Sequence, residues 1–245
     1  TQLAPLSAYS GRYTWWSNQG DRSDSRLTRR FDLRSVASGM PLELEVAMWW
    51  DIEAHYDYGY VLASRDGHKW DILPGQQTTR DNPSGHSFGP AYTGEPRLPA
   101  QASIRWVVEH FDLSAYAGQQ LWVRFEYVTD DAIHHTGWFI DDVRIPAIHY
   151  ATDFEHGADG WESEGWLLTD NQLTQHWLLQ VLEFEDDVLV NLRRVEVDAA
   201  GHAQVELTNL SDNKAAVLAI SALAPATTTP GQYELEIRQP EGKTP

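Results

Sequence analysis

Residues 49–70 read Trp49-Trp50-Asp51-Ile52-Glu53-Ala54-His55-Tyr56-Asp57-Tyr58-Gly59-Tyr60-Val61-Leu62-Ala63-Ser64-Arg65-Asp66-Gly67-His68-Lys69-Trp70. An aromatic strand is followed by an acidic loop, a second strand, an Asp66-Gly67 turn and a closing Trp70. Asp-Gly between two β-prone runs is a hairpin signal, because glycine takes the positive φ that such turns need. The lead-in, Leu42-Glu43-Leu44-Glu45-Val46-Ala47-Met48, alternates apolar and acidic residues, the period-two pattern of a strand with one face in a core. The stretch therefore sets carboxylates and aromatics together at one edge of a sheet.

The same grammar extends outward. Apolar runs of four to eight residues are punctuated by Gly, Pro, Asn and Asp about every 8–15 residues, and sustained helical periodicity is nearly absent. Strands are expected at Gly11–Trp16, Arg26–Asp32, Leu42–Ile52, Gly59–Ser64, Ile72–Pro74, Arg105–Asp112, Gln120–Val128 and Trp138–Ile145. Leu113–Gly118 reads as a short helical turn that Gly118 stops. Residues 76–102 are polar and carry Pro83, Pro90, Pro96 and Pro99. They read as one long loop, and a loop of that length in a compact domain is usually functional or fastened by a side chain. Beyond Trp177 the strands turn simple and Val/Leu-rich: Trp177–Phe184, Val188–Val197, Ala203–Leu210, Ala215–Leu223 and Tyr233–Arg238. The expectation is an all-β chain, with a jelly-roll-like β-sandwich over 1–170 followed by a smaller β-sandwich over 171–245.

Composition narrows the functions. A formal charge of −18 opposes nucleic acid and anionic membrane surfaces, both of which need basic patches. No apolar run approaches the roughly 18 residues of a membrane-spanning helix, so membrane insertion is not expected. The chain has no Cys, which excludes thiolate metal sites, disulfides and a cysteine nucleophile. For an exported β protein that absence points to a prokaryotic or thermophilic source. The chain begins Thr1-Gln2-Leu3-Ala4-Pro5 without an initiator Met, and is expected to be a mature or processed fragment.

Several motifs carry chemistry. Gly85-His86-Ser87-Phe88-Gly89 has the spacing of a nucleophile elbow, but Arg80-Asp-Asn-Pro-Ser before it and Pro90-Ala-Tyr-Thr-Gly after it supply neither the strand nor the helix which that motif requires. Carboxylates suit calcium better, since the ion takes six to eight oxygen ligands. Three pairs are candidates: Asp21 with Asp24, Glu53 with Asp57, and Asp141 with Asp142. The first and last strands of a jelly roll lie side by side, so early and late acids can share a site. Asp130-Asp131-Ala132-Ile133-His134-His135 offers a mixed Asp/His set, but adjacent histidines on a strand point to opposite faces. Trp15, Trp16, Tyr56, Tyr58 and Tyr92 are candidate stacking residues for a glycan or a protein partner. Asn209-Leu210-Ser211 is a glycosylation sequon.

The strings Trp50-Asp-Ile-Glu-x-x-Tyr56-Asp57-Tyr58-Gly-Tyr-Val-x-x-Ser64, Asp66-Gly-x-x-Trp70, Tyr92-Thr-Gly94, Phe111-Asp-Leu-Ser-Ala-Tyr-Ala-Gly118, Val123-Arg-Phe-x-Tyr-Val-Thr-Asp130 and Gly137-Trp-Phe-Ile-Asp-Asp-Val143 occur in one order. Together with Asp153-Phe-Glu-x-Gly-x-x-Gly160-Trp161 they resemble the non-catalytic, MAM/jelly-roll-like region of immune inhibitor A-type (M6) secreted metallopeptidases. The resemblance implies a bacterial, secreted or cell-surface β-sandwich, often with structural Ca²⁺, that binds or positions a partner. The family's protease domain carries His-Glu-x-x-His, whereas no His in this chain is followed by Glu, so zinc-peptidase activity is not carried over. The reading is a calcium-stabilised, non-catalytic binding or assembly module. Its partner would be a protein or glycan at the cell surface, or a second copy of itself. The alternatives are a carbohydrate-binding module, a self-assembling filament or surface-layer protein, and a fragment of an M6-like peptidase.

Overall fold

The computed structural model describes residues 2–97, 106–173, 175–208, 211–223 and 231–238. Two compact units divide the chain, Gln2–Gln172 and a second that begins at Leu173. Among the described residues there is no α-helix, only two 3-10 turns, and no helix long and apolar enough to cross a membrane.

The first unit contains β1 (Thr14–Trp16), β2 (Asp24–Asp32), β3 (Glu43–Asp51), β4 (Tyr58–Ser64), β5 (Asp71–Ile72), β6 (Val107–Asp112), β7 (Gln120–Val128), β8 (Gly137–Ile145), β9 (Tyr150–Thr152), β10 (Glu162–Glu164) and β11 (Leu167–Thr169). One sheet has the order β11-β1-β8-β3-β6, with β9 also paired to β8; the other has the order β10-β2-β7-β4-β5. All of these ladders are antiparallel, and β1 lies beside β8, the neighbouring of early and late strands that a jelly roll requires. The short strands β9, β10 and β11 went unread in the sequence, because each is three residues long among Gly, Asp and Trp.

The alternation at residues 42–48 does its expected work at first. Leu44, Val46 and Met48 enter the core while Glu43 and Glu45 face outward. From Ala47 onward the outward face is buried as well. There Trp16, Phe139 and Trp49 stand side by side across β1, β8 and β3, with Trp16 stacked on Phe139 at 6.0 Å between ring centroids and Phe139 5.7 Å from Trp49.

Asp66-Gly67 turns the chain as expected. Gly67 has φ 75°, and Asp66 Oδ1 accepts the backbone amides of His68 and Lys69, each at 2.8 Å. These amides hold the Asp66 carboxyl at about 2, below its ordinary value. The Ser114–Tyr116 turn ends before Gly118, which has φ 77°.

The long polar segment is fastened along its described part. Thr79 bridges Ala91, Tyr92 bridges Gly59 and Gly94 bridges Ile52. At its start the buried Glu109 carboxylate of β6 accepts the backbone amides of Gln76 at 2.6 Å and Gln77 at 3.1 Å. Gly75 is required at this point, because a Cβ there would overlap the Tyr92 hydroxyl and the Glu109 carboxylate.

The second unit holds β12 (His176–Glu185), β13 (Val188–Val195) and β14 (Lys214–Leu223) in one antiparallel sheet, order β13-β12-β14. Asp186 and Asp187 both have positive φ, 49° and 64°, which is the conformation of a two-residue hairpin turn matched to strand twist. The expected strands at Ala203–Leu210 and Tyr233–Arg238 form no ladder among the described residues. Asn209 and Leu210 of the sequon lie outside those residues.

Gly75→Ala should lower stability by about 1–3 kcal/mol, the usual range for forcing a methyl group into packed surroundings. Chemical denaturation checks this against the exposed, positive-φ Gly85→Ala, where a Cβ meets no atom and only backbone strain is added.

Candidate cation site

The acidic loop between β3 and β4 closes on itself. The Asp57 amide donates to the Glu53 carbonyl, and His55 takes a positive φ of 71°. Thr93 pins the turn from outside: its hydroxyl donates to the Glu53 carbonyl at 3.1 Å and accepts the His55 amide at 2.8 Å. The His55 carbonyl in turn accepts the hydroxyls of Tyr58 and Ser84. Backbone geometry thus leaves the Glu53 and Asp57 side chains on a fixed turn.

Register supplies a third acid. β4 and β7 pair with Tyr58 opposite Val128, so the residues just beyond each strand end meet. Asp57 Oδ1 accepts the Asp130 amide at 2.9 Å, and Asp57 Oδ2 accepts the Tyr127 hydroxyl at 3.3 Å. One carboxylate oxygen from each of Glu53, Asp57 and Asp130 lies within 4.8 Å of the other two. Asp57 is buried, and Glu53 Oε2 is an inaccessible oxygen with no hydrogen-bond partner. None of the three acids has an ion-pair partner among the described residues. Burial, followed by the charges of Asp130 and Glu53, pushes the Asp57 carboxyl up to about 6 against the pull of its two hydrogen-bond donors.

This donor set fits a hard divalent cation. Three carboxylates supply oxygen alone, which is what calcium prefers, and the orphaned Glu53 oxygen is the kind of group a cation would satisfy. Asp130 escaped the sequence reading as part of this set, because it lies 73 positions from Asp57. The available signal was register: Asp57 precedes one strand and Asp130 follows another by comparable steps.

The other predicted acids do not join this group. Asp21 pairs with His134 at 2.8 Å, and Asp24 pairs with Arg26. Asp141 is fully buried, and its carboxylate accepts the amides of Tyr9, Ser10 and Asp142, tying the N-terminal segment to β8. Burial still pushes Asp141 up to about 7. Asp142 accepts the Ser10 hydroxyl and pairs with Arg144, both at 2.7 Å. His134 and His135 separate as their adjacency implies, His135 pairing with Asp51 at 2.8 Å rather than sharing a ligand with His134.

The predicted stacking residues need correction. Trp15, Trp16, Tyr58 and Tyr92 are all buried: the first three lie on strands covered by apolar neighbours, and Tyr92, from the long segment, packs on Trp50 and Trp138. Only Tyr56 is exposed, on the acidic turn itself, where its ring meets His86 edge-on at 6.1 Å. Phe88, which is 72% exposed, stacks on Tyr60 at 5.7 Å and adds a second ring from the long segment. Ser87 sits in that segment with its hydroxyl on the Gly89 carbonyl at 2.8 Å and its amide on Asn82, a loop closure with no helix after it.

Fold and site together define a β-sandwich module that carries a cluster of acids at one end of its sheets. Comparison with known proteins makes the class specific. The model of the "Immune inhibitor A-like, MAM domain" family matches residues 4–169, and the chain belongs to that family. It is 30% identical over 190 residues to the pre-pro-metalloprotease PrtV of Vibrio cholerae serotype O1, covering 75% of this chain and 19% of that protein. It is 26% identical over 154 residues to immune inhibitor A of Bacillus thuringiensis subsp. alesti, covering 61% of this chain and 19% of that protein. A 103-residue stretch is 33% identical to bacillopeptidase F of Bacillus subtilis, or 6% of that protein. The chain therefore spans about a fifth of the length of the PrtV and immune inhibitor A sequences it matches.

Burial divides the aromatics into two testable groups. Trp16→Ala should cost about 3–5 kcal/mol, the range for removing a large aromatic from a packed core. Tyr56→Ala should change stability by no more than about 0.5 kcal/mol, as surface substitutions do. Urea denaturation of the two variants measures both.

Proposed function

We propose that this chain is a non-catalytic, extracellular accessory module of a metalloprotease, stabilised by one calcium ion held by Glu53, Asp57 and Asp130. The convergence of three acids with no basic partner carries the proposal. Uncompensated carboxylates at a partly buried site are costly, and a divalent cation removes that cost while satisfying the free Glu53 oxygen. Membership in a family of metalloprotease-associated domains supports the accessory role, and the relatives' names supply the protease.

The ion would do more than stabilise. It would fix the turn from which Tyr56 projects, next to His86. Exposed aromatic rings on a held loop are suited to contact a protein or glycan at low entropic cost. Export from the cell agrees with the Cys-free, strongly acidic composition and with the family.

Self-association is a second reading with an observation of its own. β13 is an edge strand in its sheet, and Val188, Leu189, Val190 and Leu192 along it are exposed. An apolar strand edge is a template for pairing with another copy. A concentration-dependent shift to larger species in analytical ultracentrifugation, removed by Val190→Lys, would favour that reading over a monomeric module.

Calcium binding is read by stability. Calcium at 100 times its Kd should add about 2.7 kcal/mol to the unfolding free energy. EDTA should reverse the gain, and Asp57→Asn or Glu53→Gln should abolish the response. A melting temperature that ignores both calcium and EDTA would remove the cation from the account.

A further inference from the structure

At the opposite end of β3 a different set of side chains converges. Glu43 and Glu45 stand on the outward face of β3, since the intervening Leu44 is in the core. His110 lies on β6 directly across from Glu45 in the ladder, while its neighbours Glu109 and Phe111 are buried on the other side. One ligand atom from each of Glu43, Glu45 and His110 lies within 4.8 Å of the others. By strand rise, at about 3.3 Å per residue, Glu45 is roughly 25 Å from Glu53, so the two acid groups are separate.

We infer that Glu43, Glu45 and His110 form a binding site for a divalent transition metal of the zinc class. The chemistry of the donors selects the metal. An imidazole with two carboxylates suits zinc and its neighbours in the first transition row, whereas calcium takes oxygen donors alone. The spacing agrees as well. Two donors bound tetrahedrally to zinc at about 2.0–2.1 Å stand about 3.3–3.4 Å apart. His110 Nδ1 and Glu43 Oε2 are 3.3 Å apart.

A simple surface ion pair leaves part of this arrangement without a purpose. The His110–Glu43 contact employs one carboxylate, and Glu45 has no hydrogen-bond or ion-pair partner among the described residues. Arg144 faces Glu45 across the β3–β8 ladder, yet its guanidinium turns to Asp142 at 2.7 Å. Two like charges are therefore left beside one imidazole on a rigid pair of strands. A metal ion in their midst would neutralise them and fasten the edge strand β6 to β3, with water completing its coordination.

Isothermal titration calorimetry of the whole chain with zinc chloride, after removal of other metals, tests the site. One saturable zinc-binding event is expected in the wild type. His110→Ala should weaken it at least tenfold, and Glu45→Gln severalfold, while Asp57→Asn leaves it intact. Both test positions are partly exposed, so these variants should fold, and circular dichroism verifies that. No saturable heat in the wild type overturns the inference. So does a zinc affinity unchanged by both His110→Ala and Glu45→Gln, which would place the ion on another of the chain's ten histidines.

Discussion

The indole of Trp138 is the contact on which the sandwich closes. It projects from β8 of one sheet and meets Phe125 of the facing sheet edge-on, with ring centroids 5.8 Å apart. Tyr92 of the long segment lies 5.5 Å away, and Trp166, beside the last short strand of the unit, 5.8 Å away. Gly59 of β4 leaves space for this ring, since a Cβ there would stand 2.8 Å from it. One side chain thus joins both sheets, the long segment and the return of the chain after β9. Aromatic rings bury large areas and prefer such edge-on and tilted contacts, so three rings around one indole fix the distance and angle between the layers.

The candidate cation site follows from that closure. With the sheets held, β4 and β7 keep a register in which Asp57 and Asp130 meet, and Tyr92 brings Thr93 against the turn that carries Glu53. Each acid alone is an ordinary loop residue. Placed together without a cation, they raise the Asp57 carboxyl towards neutrality, as burial and like charges do. The fold therefore creates an electrostatic demand that the proposed divalent ion would meet, and meeting it would also hold Tyr56 in place.

Much of this was written locally in the sequence. Period-two alternation at 42–48, the Asp66-Gly67 turn and the stop at Gly118 each state a conformation within a few residues, and ordered short motifs marked the family. Long-range relations were not written there. Asp130 joined the acid group through strand register, and Asp141 was drawn instead to the amides of Tyr9 and Ser10. Trp15, Trp16, Tyr58 and Tyr92 look like stacking residues by type, but burial depends on which face of which sheet is covered. The outward face of β3 shows the difficulty well. Glu43 and Glu45 mark that face as acidic, and nothing in the pattern tells that Trp49 further along it lies against Phe139. Phe88 was invisible for the opposite reason, since an aromatic within a glycine-rich segment gives no hint that it stacks on the outside of Tyr60.

A cation bound among Glu53, Asp57 and Asp130 would explain both the fixed turn and the charges gathered on it. A crystal structure determined from calcium-containing solution tests it directly. The expected result is an ion with oxygen ligands from all three residues at about 2.3–2.6 Å, and Glu53 Oε2 among them. Water alone between these carboxylates at millimolar calcium, or an ion bound instead at Asp141 and Asp142, would contradict it.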